Sequence, residues 1–309
     1  MTKIDVFARY KNYDKQYCWQ YSKRIENLEE DIKNLGLTEE HINKLRVKDF
    51  VFEYVDKSDS KTCKLIKEFI ERHEYLSCMP NRPTHRFIVK LRGKNAIAGA
   101  IIMATPNAFS YILGKENKDL EKLISRGACI SWAPKNLNSY LVMSSIRWMV
   151  KNTQFRVFSA YSDPEAKELG TIYQACNFFI LGQNHGSIKQ YLDPLKPQKG
   201  WFSDREFRKK SKYAQYAKNI GIMKEEWNKY MNKYSPNWPI IPSNIILDIK
   251  NEEEKYRNSC VFREVKPKHK YCYILGKDKK ETKTLVELFN KINPKLYNNR
   301  FNYPKIRGL

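Results

Sequence analysis

The stretch Tyr161-Ser162-Asp163-Pro164-Glu165-Ala166-Lys167-Glu168-Leu169-Gly170-Thr171-Ile172-Tyr173-Gln174-Ala175-Cys176-Asn177-Phe178 decides the fold. Just before it, Phe155 to Tyr161 has the aromatic and β-branched make-up of a strand. A helix over Glu165 to Cys176 follows, with Pro164 near its first position, where no backbone N–H is needed. Asn177 to Gly182 reads as the next strand. Asp163 thus stands where a strand ends and a helix begins, the place where ligands gather in open α/β sheets. Gly170 loosens the backbone, and Thr171 is placed to cap the turn that presents Tyr173. An ordinary helix-starting Asp-Pro turn is the alternative reading of the same residues.

The pattern continues outward on both sides. Asn136 to Lys151 is a strong helix carrying Leu141, Ile146, Trp148 and Met149. Ala128 to Trp132 reads as a strand, preceded by a short helical stretch near Asp119 to Ser125. Arg86 to Arg92 and Asn95 to Thr105 are strands around the turn Gly93-Lys94. A helix from Lys61 to His73, capped by Ser58 or Ser60, follows a strand from Phe50 to Asp56. A helix from Tyr13 to Leu35, stopped by Gly36, and a second started by Thr38 precede them. Near the end, Lys270 to Leu275 is a strand and Lys280 to Lys291 a helix. Without the Asp119 stretch, the order from Phe50 to Gly182 is β-α-β-β-β-α-β-α-β, a mixed α/β sheet with crossover helices. It resembles the Gcn5-related N-acetyltransferase fold, in which acyl-CoA binds where two central strands splay apart. The expected organisation is a helical lead-in (1–48), an acetyltransferase-like core with flanking helices (49–186) and a basic helical extension (187–309). Within the extension, 268–276 is placed to complete the core sheet.

The 309 residues carry 57 Lys and Arg against 34 Asp and Glu, a formal charge of +23. With 41% hydrophobic residues the chain is not a disordered tail protein. Its longest apolar run, Ala96 to Thr105, is far below the roughly 20 residues of a membrane span. Met1-Thr2-Lys3-Ile4-Asp5 lacks the apolar core of a signal peptide, so a cytoplasmic location is expected. Seven scattered cysteines without a CxxC pair read as free thiols. So large a positive charge calls for a polyanion, and nucleic acid is the natural partner. Between Trp201 and Tyr234 nine cations face four acids, interleaved with Trp201, Phe202, Phe207, Tyr213, Tyr216 and Trp227. Arg205, Arg208, Lys209, Lys210 and Lys212 are the densest cluster and the candidate phosphate contacts. Residues 291–309 add Lys291, Lys295, Arg300, Lys305 and Arg307 with no acid.

The run YSDPEAKELGTIYQACNF resembles the signature of the phage Mom-like family of DNA-modification proteins, built on the acetyltransferase fold. Ser125-Arg126, Pro134-Lys135-Asn136-Leu137-Asn138-Ser139, Lys268-His269-Lys270-Tyr271-Cys272-Tyr273-Ile274-Leu275-Gly276 and Tyr303-Pro304-Lys305 are similar to further segments of that family. The resemblance covers roughly His73 to Gly182 and pieces of the last 50 residues. By motif and spacing, the family's functional positions fall on Tyr75, Arg126, Ser139 and Asp163, with Tyr173 a further candidate. What the resemblance implies is an acyl-CoA-dependent enzyme, with acetyl-CoA or another acyl-CoA as donor. It would modify the exocyclic N6 of adenine in double-stranded DNA to a carbamoylmethyl-type base and shield phage DNA from restriction. It also leaves room for an iron ion held by a Tyr/His/Asp cluster, oxygen and nitrogen donors suiting iron.

One departure concerns the pyrophosphate loop, which in this fold is glycine-rich. Ala133 to Ser139 contains no glycine, so Lys135, Asn136, Asn138 and Ser139 would supply donors at the helix start. Arg126 would pair with a phosphate or with Asp163. Asp163 would take the proton of the attacking amine, and Tyr75 or Tyr173 would stack on a flipped base or protonate the departing thiolate. Two other readings stand beside this one. The first is an N-acyltransferase for an amine of a hypermodified base, a nucleotide or a small molecule, which would need a closed acceptor pocket. The second is a catalytically silent nucleic-acid-binding protein, which would not bind CoA.

Overall fold

A computed structural model describes residues 18–80, 82–94, 96–183, 188–233 and 235–305. Along the chain, helix α1 (Trp19–Asn34) and helix α2 (Glu39–Lys44) lead into strand β1 (Phe50–Val55) and helix α3 (Ser60–His73). Strands β2 (Pro83–Leu91), β3 (Ile97–Ala104) and β4 (Glu121–Cys129) follow. Then come helix α4 (Leu137–Asn152), strand β5 (Val157–Ser162), helix α5 (Thr171–Ala175) and strand β6 (Phe179–Ile180). The next segment holds β7 (Lys189–Leu192), β8 (Phe202–Ser203), α6 (Lys210–Asn219), α7 (Lys224–Lys229), α8 (Ser243–Ser259) and β9 (Val261–Glu264). Strand β10 (His269–Ile274), helix α9 (Lys279–Ile292) and helix α10 (Pro294–Asn298) end the described chain.

Local chemistry explains the boundaries. Thr38 caps α2 as expected, accepting from the His41 N–H. For α3 the cap is Asp59, which accepts from Thr62 N–H, rather than Ser58 or Ser60. The helical reading near Asp119 to Ser125 is corrected: a 3-10 turn covers Lys115–Leu120 and β4 already begins at Glu121. That strand ends at Cys129, so the strand read at Ala128 to Trp132 lies mostly beyond it. The helix read over Glu165 to Cys176 is split into a 3-10 turn, Pro164–Ala166, and α5. Lys167 and Gly170 both take positive φ between them, which no continuous right-handed helix accommodates. The first residues of the helix read from Tyr13 lie outside the described residues.

The described residues of Met1–His185 and Lys268–Leu309 form one compact unit, and those of Gly186–Pro267 a second. The first unit contains a seven-stranded sheet in the order β1-β2-β3-β4-β5-β10-β6. Only β4 and β5 are parallel; the other paired neighbours are antiparallel. This is the mixed α/β sheet with flanking helices that the sequence pattern calls for. Strand β10 enters it between β5 and β6. Side-chain alternation divides the core: Phe158, Ala160 and Tyr271 join α3 and α4 in the main cluster, while Val157, Cys272 and Ile274 pack with Phe289 of α9.

The second unit is built around a three-stranded sheet in the order β8-β7-β9. Its aromatic residues are mostly core: Tyr213, Tyr216 and Trp227 are buried together with Ile241 and Ile249, and Phe207 packs with Tyr191 and Cys260. The aromatics interleaved with cations in the sequence are therefore this unit's own packing. Trp201 is the exception, exposed with Arg263 over its ring at 4.5 Å.

Candidate active site at the opening between two parallel strands

Strands β4 and β5 pair only from Glu121↔Val157 to Leu123↔Ser159. Beyond that, β4 runs on beside β3, and β5 runs on beside β10. The departure coincides with a bulge in β4: Ile102 pairs with Arg126 and Met103 with Ile124, leaving Ser125 as an extra residue. A bulge bends the strand that carries it and re-aims nearby side chains. The sheet therefore opens between β4 and β5, with Arg126 on one side and Asp163 at the end of the other.

Asp163 is held in place on all sides. Its Oδ1 accepts from Glu165 N–H at 3.1 Å, and its Oδ2 receives Lys268 Nζ at 2.6 Å. Its carbonyl accepts from Ala166 and Glu168 N–H. Lys268 lies 105 residues away in sequence but opposite in space, because the antiparallel register pairs Ser162 with His269. Arg126 does not pair with Asp163. Its Nε donates to Cys78 O at 3.1 Å and lies 3.8 Å from Glu74 Oε2. Burial raises the pKa of the Glu74 carboxyl, and Arg126 opposes that shift. Tyr75 lies in the electrostatic reach of Glu168, Asp163 and Glu74, and burial together with these acids pushes its hydroxyl well above the usual phenol range. Tyr173 is shifted the same way by burial, and its ring packs 5.2 Å from Phe178 and 5.4 Å from Tyr271. Gly170 is required at that contact: its φ is +64°, and a Cβ there would lie 2.6 Å from the Tyr271 ring. The C-terminal segment returns to the same place, with Tyr303 donating to Phe178 O at 2.6 Å.

Next to the opening lies a cleft of about 470 Å³. It runs along one face of α4, past Asn136, Ser139, Tyr140, Met143 and Arg147, and is lined on its other side by residues 175–177 and Tyr273. The glycine-free loop solves its backbone problem with Asn136, whose φ of 71° is left-handed. Among the candidate cofactor residues, Lys135 and Asn136 are exposed. Asn138 Oδ1 is buried without a partner. The Ser139 hydroxyl donates to Asn136 O at 3.1 Å, so it seals the helix start. The sequence reading assigns no site role to Arg147, Lys268, Glu74 or Glu168, although Glu168 and Lys268 stand in segments that carry the resemblance. Arg147 continues the 136-140-143 face of α4, a helical period that would have found it. Lys268 becomes visible only once the β5–β10 register is known. Arg205, Arg208, Lys209 and Lys210 are exposed in the second unit, with Lys209 2.5 Å from Glu206. Lys212 instead packs its ammonium 3.6 Å above the Tyr256 ring. Among the described residues no group of three or more His, Cys, Asp or Glu side chains is placed to hold a metal ion, so the expected iron finds no such donor set. No described helix is long and apolar enough to cross a membrane.

The profile of the Mom protein family matches residues 53–234, more than half of the chain. The chain belongs to the Mom protein family. The match starts in β1 and spans the β4–β5 opening, the Asp163 turn and the basic segment through α7. Similar solved structures include the ribosomal-protein-S5-alanine acetyltransferase of Vibrio fischeri, 15% identical over 45% of this chain and 84% of that one, with a TM-score of 0.33. A spermidine N-acetyltransferase of Vibrio cholerae, solved with CoA and spermine, is 12% identical over 45% and 85%, TM-score 0.31. A ribosomal L7/L12 alpha-N-protein acetyltransferase is 9% identical over 74% and 96%, TM-score 0.34. At these scores the likenesses add nothing to what the chain's own sheet topology says. No curated protein matches the chain.

Proposed function

We propose that this Mom-family protein is an acyl-CoA-dependent transferase that acylates the exocyclic N6 of adenine in double-stranded DNA. The observation that carries the reading is the opening between β4 and β5, with Asp163 fixed at its rim. An extended thioester arm would lie between the separated strands and hydrogen-bond to their free edges. The cleft along α4, with the N-terminal N–H groups of that helix and Arg147, suits the phosphates and nucleotide of CoA. Family membership and the charge of +23 support DNA as acceptor.

In this reading the N6 lone pair attacks the thioester carbonyl, the C–S bond breaks, and the N6 proton passes to Asp163. Because the N6 lone pair is delocalised into the ring, positioning and a nearby base both matter. Tyr75, with its pKa raised, keeps its proton and donates a hydrogen bond to the developing charge rather than protonating the thiolate. Tyr173 is packed among aromatic rings and shapes the wall. A modified N6 projects into the major groove, where restriction nucleases read the sequence.

The test is mass spectrometry of nucleosides from DNA of cells expressing the protein, beside calorimetry with CoA. Acyl transfer leaves an amide at N6, whereas a carbamoylmethyl group is joined through its CH2 carbon, and fragmentation separates the two. A new adenine nucleoside together with CoA binding supports the proposal. CoA binding with unmodified DNA moves the acceptor to a free nucleotide or small amine, and no CoA binding removes the transferase reading.

A further inference from the structure

We propose that helix α1 completes the acceptor side of the site and that Trp19 is the surface on which the substrate purine stacks. This rests on the reading of a DNA base as acceptor. The helix is tied to the site's own elements rather than appended to them. Gln20 Nε2 donates to His73 O at 2.6 Å while its Oε1 accepts from Tyr75 N–H at 3.2 Å, so one amide grips the backbone on both sides of Glu74. Cys18 Sγ lies 4.0 Å from Glu168 Oε1, on the loop between Asp163 and Gly170. Further along the helix, Asn27 Nδ2 donates to Arg72 O at 3.2 Å. Asp31, buried, accepts from Arg72 Nη2 at 3.0 Å and from the Ser131 hydroxyl at 2.6 Å. Removing any one partner would leave a buried carboxylate short of donors, so the helix is firmly seated.

At the start of this anchored helix, Trp19 meets Tyr75 edge-on, with ring centroids 6.1 Å apart at 69°. Trp19 is nevertheless 48% exposed. An indole that meets its aromatic neighbour at a steep angle and is half open to solvent keeps ring surface for a planar partner. Leu76, in the turn that carries Tyr75, is 40% exposed and adds an apolar lip. A base taken out of its stack is held by just such aromatic and apolar walls, and every base has a face that an indole can cover. Tyr75 is thereby given two neighbours with separate duties: Gln20 is a positioning residue that holds its backbone, and Trp19 touches the base. In a chain of this charge the planar ligand is the base of a nucleic acid.

The experiment measures binding of a fluorescein-labelled single-stranded oligodeoxyadenylate by anisotropy, kcat and KM for a duplex, and CoA affinity by calorimetry. The full chain is compared with Trp19→Ala, Trp19→Phe and Gln20→Ala. Trp19→Ala is expected to weaken oligonucleotide binding roughly tenfold or more, the loss of one base–aromatic stack. Its CoA affinity and melting temperature stay unchanged, and Trp19→Phe recovers most of the loss. Gln20→Ala is expected to lower kcat more than it raises KM. A wild type that modifies DNA, with Trp19→Ala equal to it, overturns this inference alone. A Trp19→Ala protein that loses CoA binding or melts early overturns it too, since the role is then structural. A wild type that neither binds nor modifies DNA overturns both this inference and the reading it rests on.

Discussion

The rim of the β4–β5 opening and the Ser203–Lys212 segment of the second unit are both rich in charge, yet they are built on opposite plans. At the rim the charged groups are paired and fixed from several elements: Asp163 by Lys268 and Glu165 N–H, Glu74 by Arg126 and Leu76 N–H. In the second unit Arg205 and Arg208 extend from a short loop, and Lys210 from the first turn of α6, into solvent, while Phe207 between them turns inward. Fixed groups at set distances suit a single reacting geometry. Solvated cations suit phosphates, which carry no sequence information. Substitutions should therefore act abruptly at the rim and by degrees in the loop.

The largest effect is expected at Gly170. Gly170→Val puts a branched side chain at positive φ against the buried Tyr271 ring, and should cost about 3 kcal/mol of stability, read from urea melts. A near-neutral result would mean that the signature loop is loosely held and that the rim is no more fixed than the cation loop. Next comes Arg126→Met, which leaves the buried Glu74 carboxyl without its guanidinium and should cost about 2 kcal/mol. Adding Glu74→Gln should return most of that loss; two additive losses would show that the pair is not coupled.

These two sites also mark what the sequence could and could not tell. The Asp163 turn, the α4 face and the strand order were legible, because alternation, helical period and the Asp-Pro turn are local signals. The start of β4 was misread as helix because Lys115–Leu120, a 3-10 turn, runs straight into Glu121 without a breaker. Lys268 was hidden because its partner lies across a strand pairing that joins β10 to β5 past the whole second unit. That Phe207, Tyr213, Tyr216 and Trp227, interleaved with cations in the sequence, are core was not legible, because a linear pattern does not separate a basic face from the core beneath it.

The cation loop should give the graded response. Replacing Arg205, Arg208 and Lys210 by Ala together should reduce the slope of log affinity against log salt by roughly 0.9 for each phosphate no longer neutralised. CoA affinity should not move. An unchanged slope would show that these residues do not touch DNA.

The smallest effect concerns acid sensitivity. Burial, with Lys122 and Arg86 nearby, lowers the His85 pKa to about 4. Its unfolded value is about 6.5, so over this window the folded state binds fewer protons. The stability His85 contributes is complete above about pH 6.5 and is lost as pH falls through about 4. His85→Gln should flatten the melting temperature against pH in that window. Because His73 is buried and shifted in the same direction, some slope should persist. A slope identical to wild type would contradict the assignment.

The central claim, that the opening between β4 and β5 transfers a group to adenine with Asp163 at its rim, is tested most directly by nucleoside mass spectrometry of duplex DNA incubated with acyl-CoA and purified protein. Wild type and Asp163→Ala are run at matched DNA and CoA occupancy. The account predicts a modified adenine with wild type and at least a hundredfold less, on the order of a lost general base, with the variant. Equal modification by both proteins, or none by wild type with both ligands bound, would contradict it.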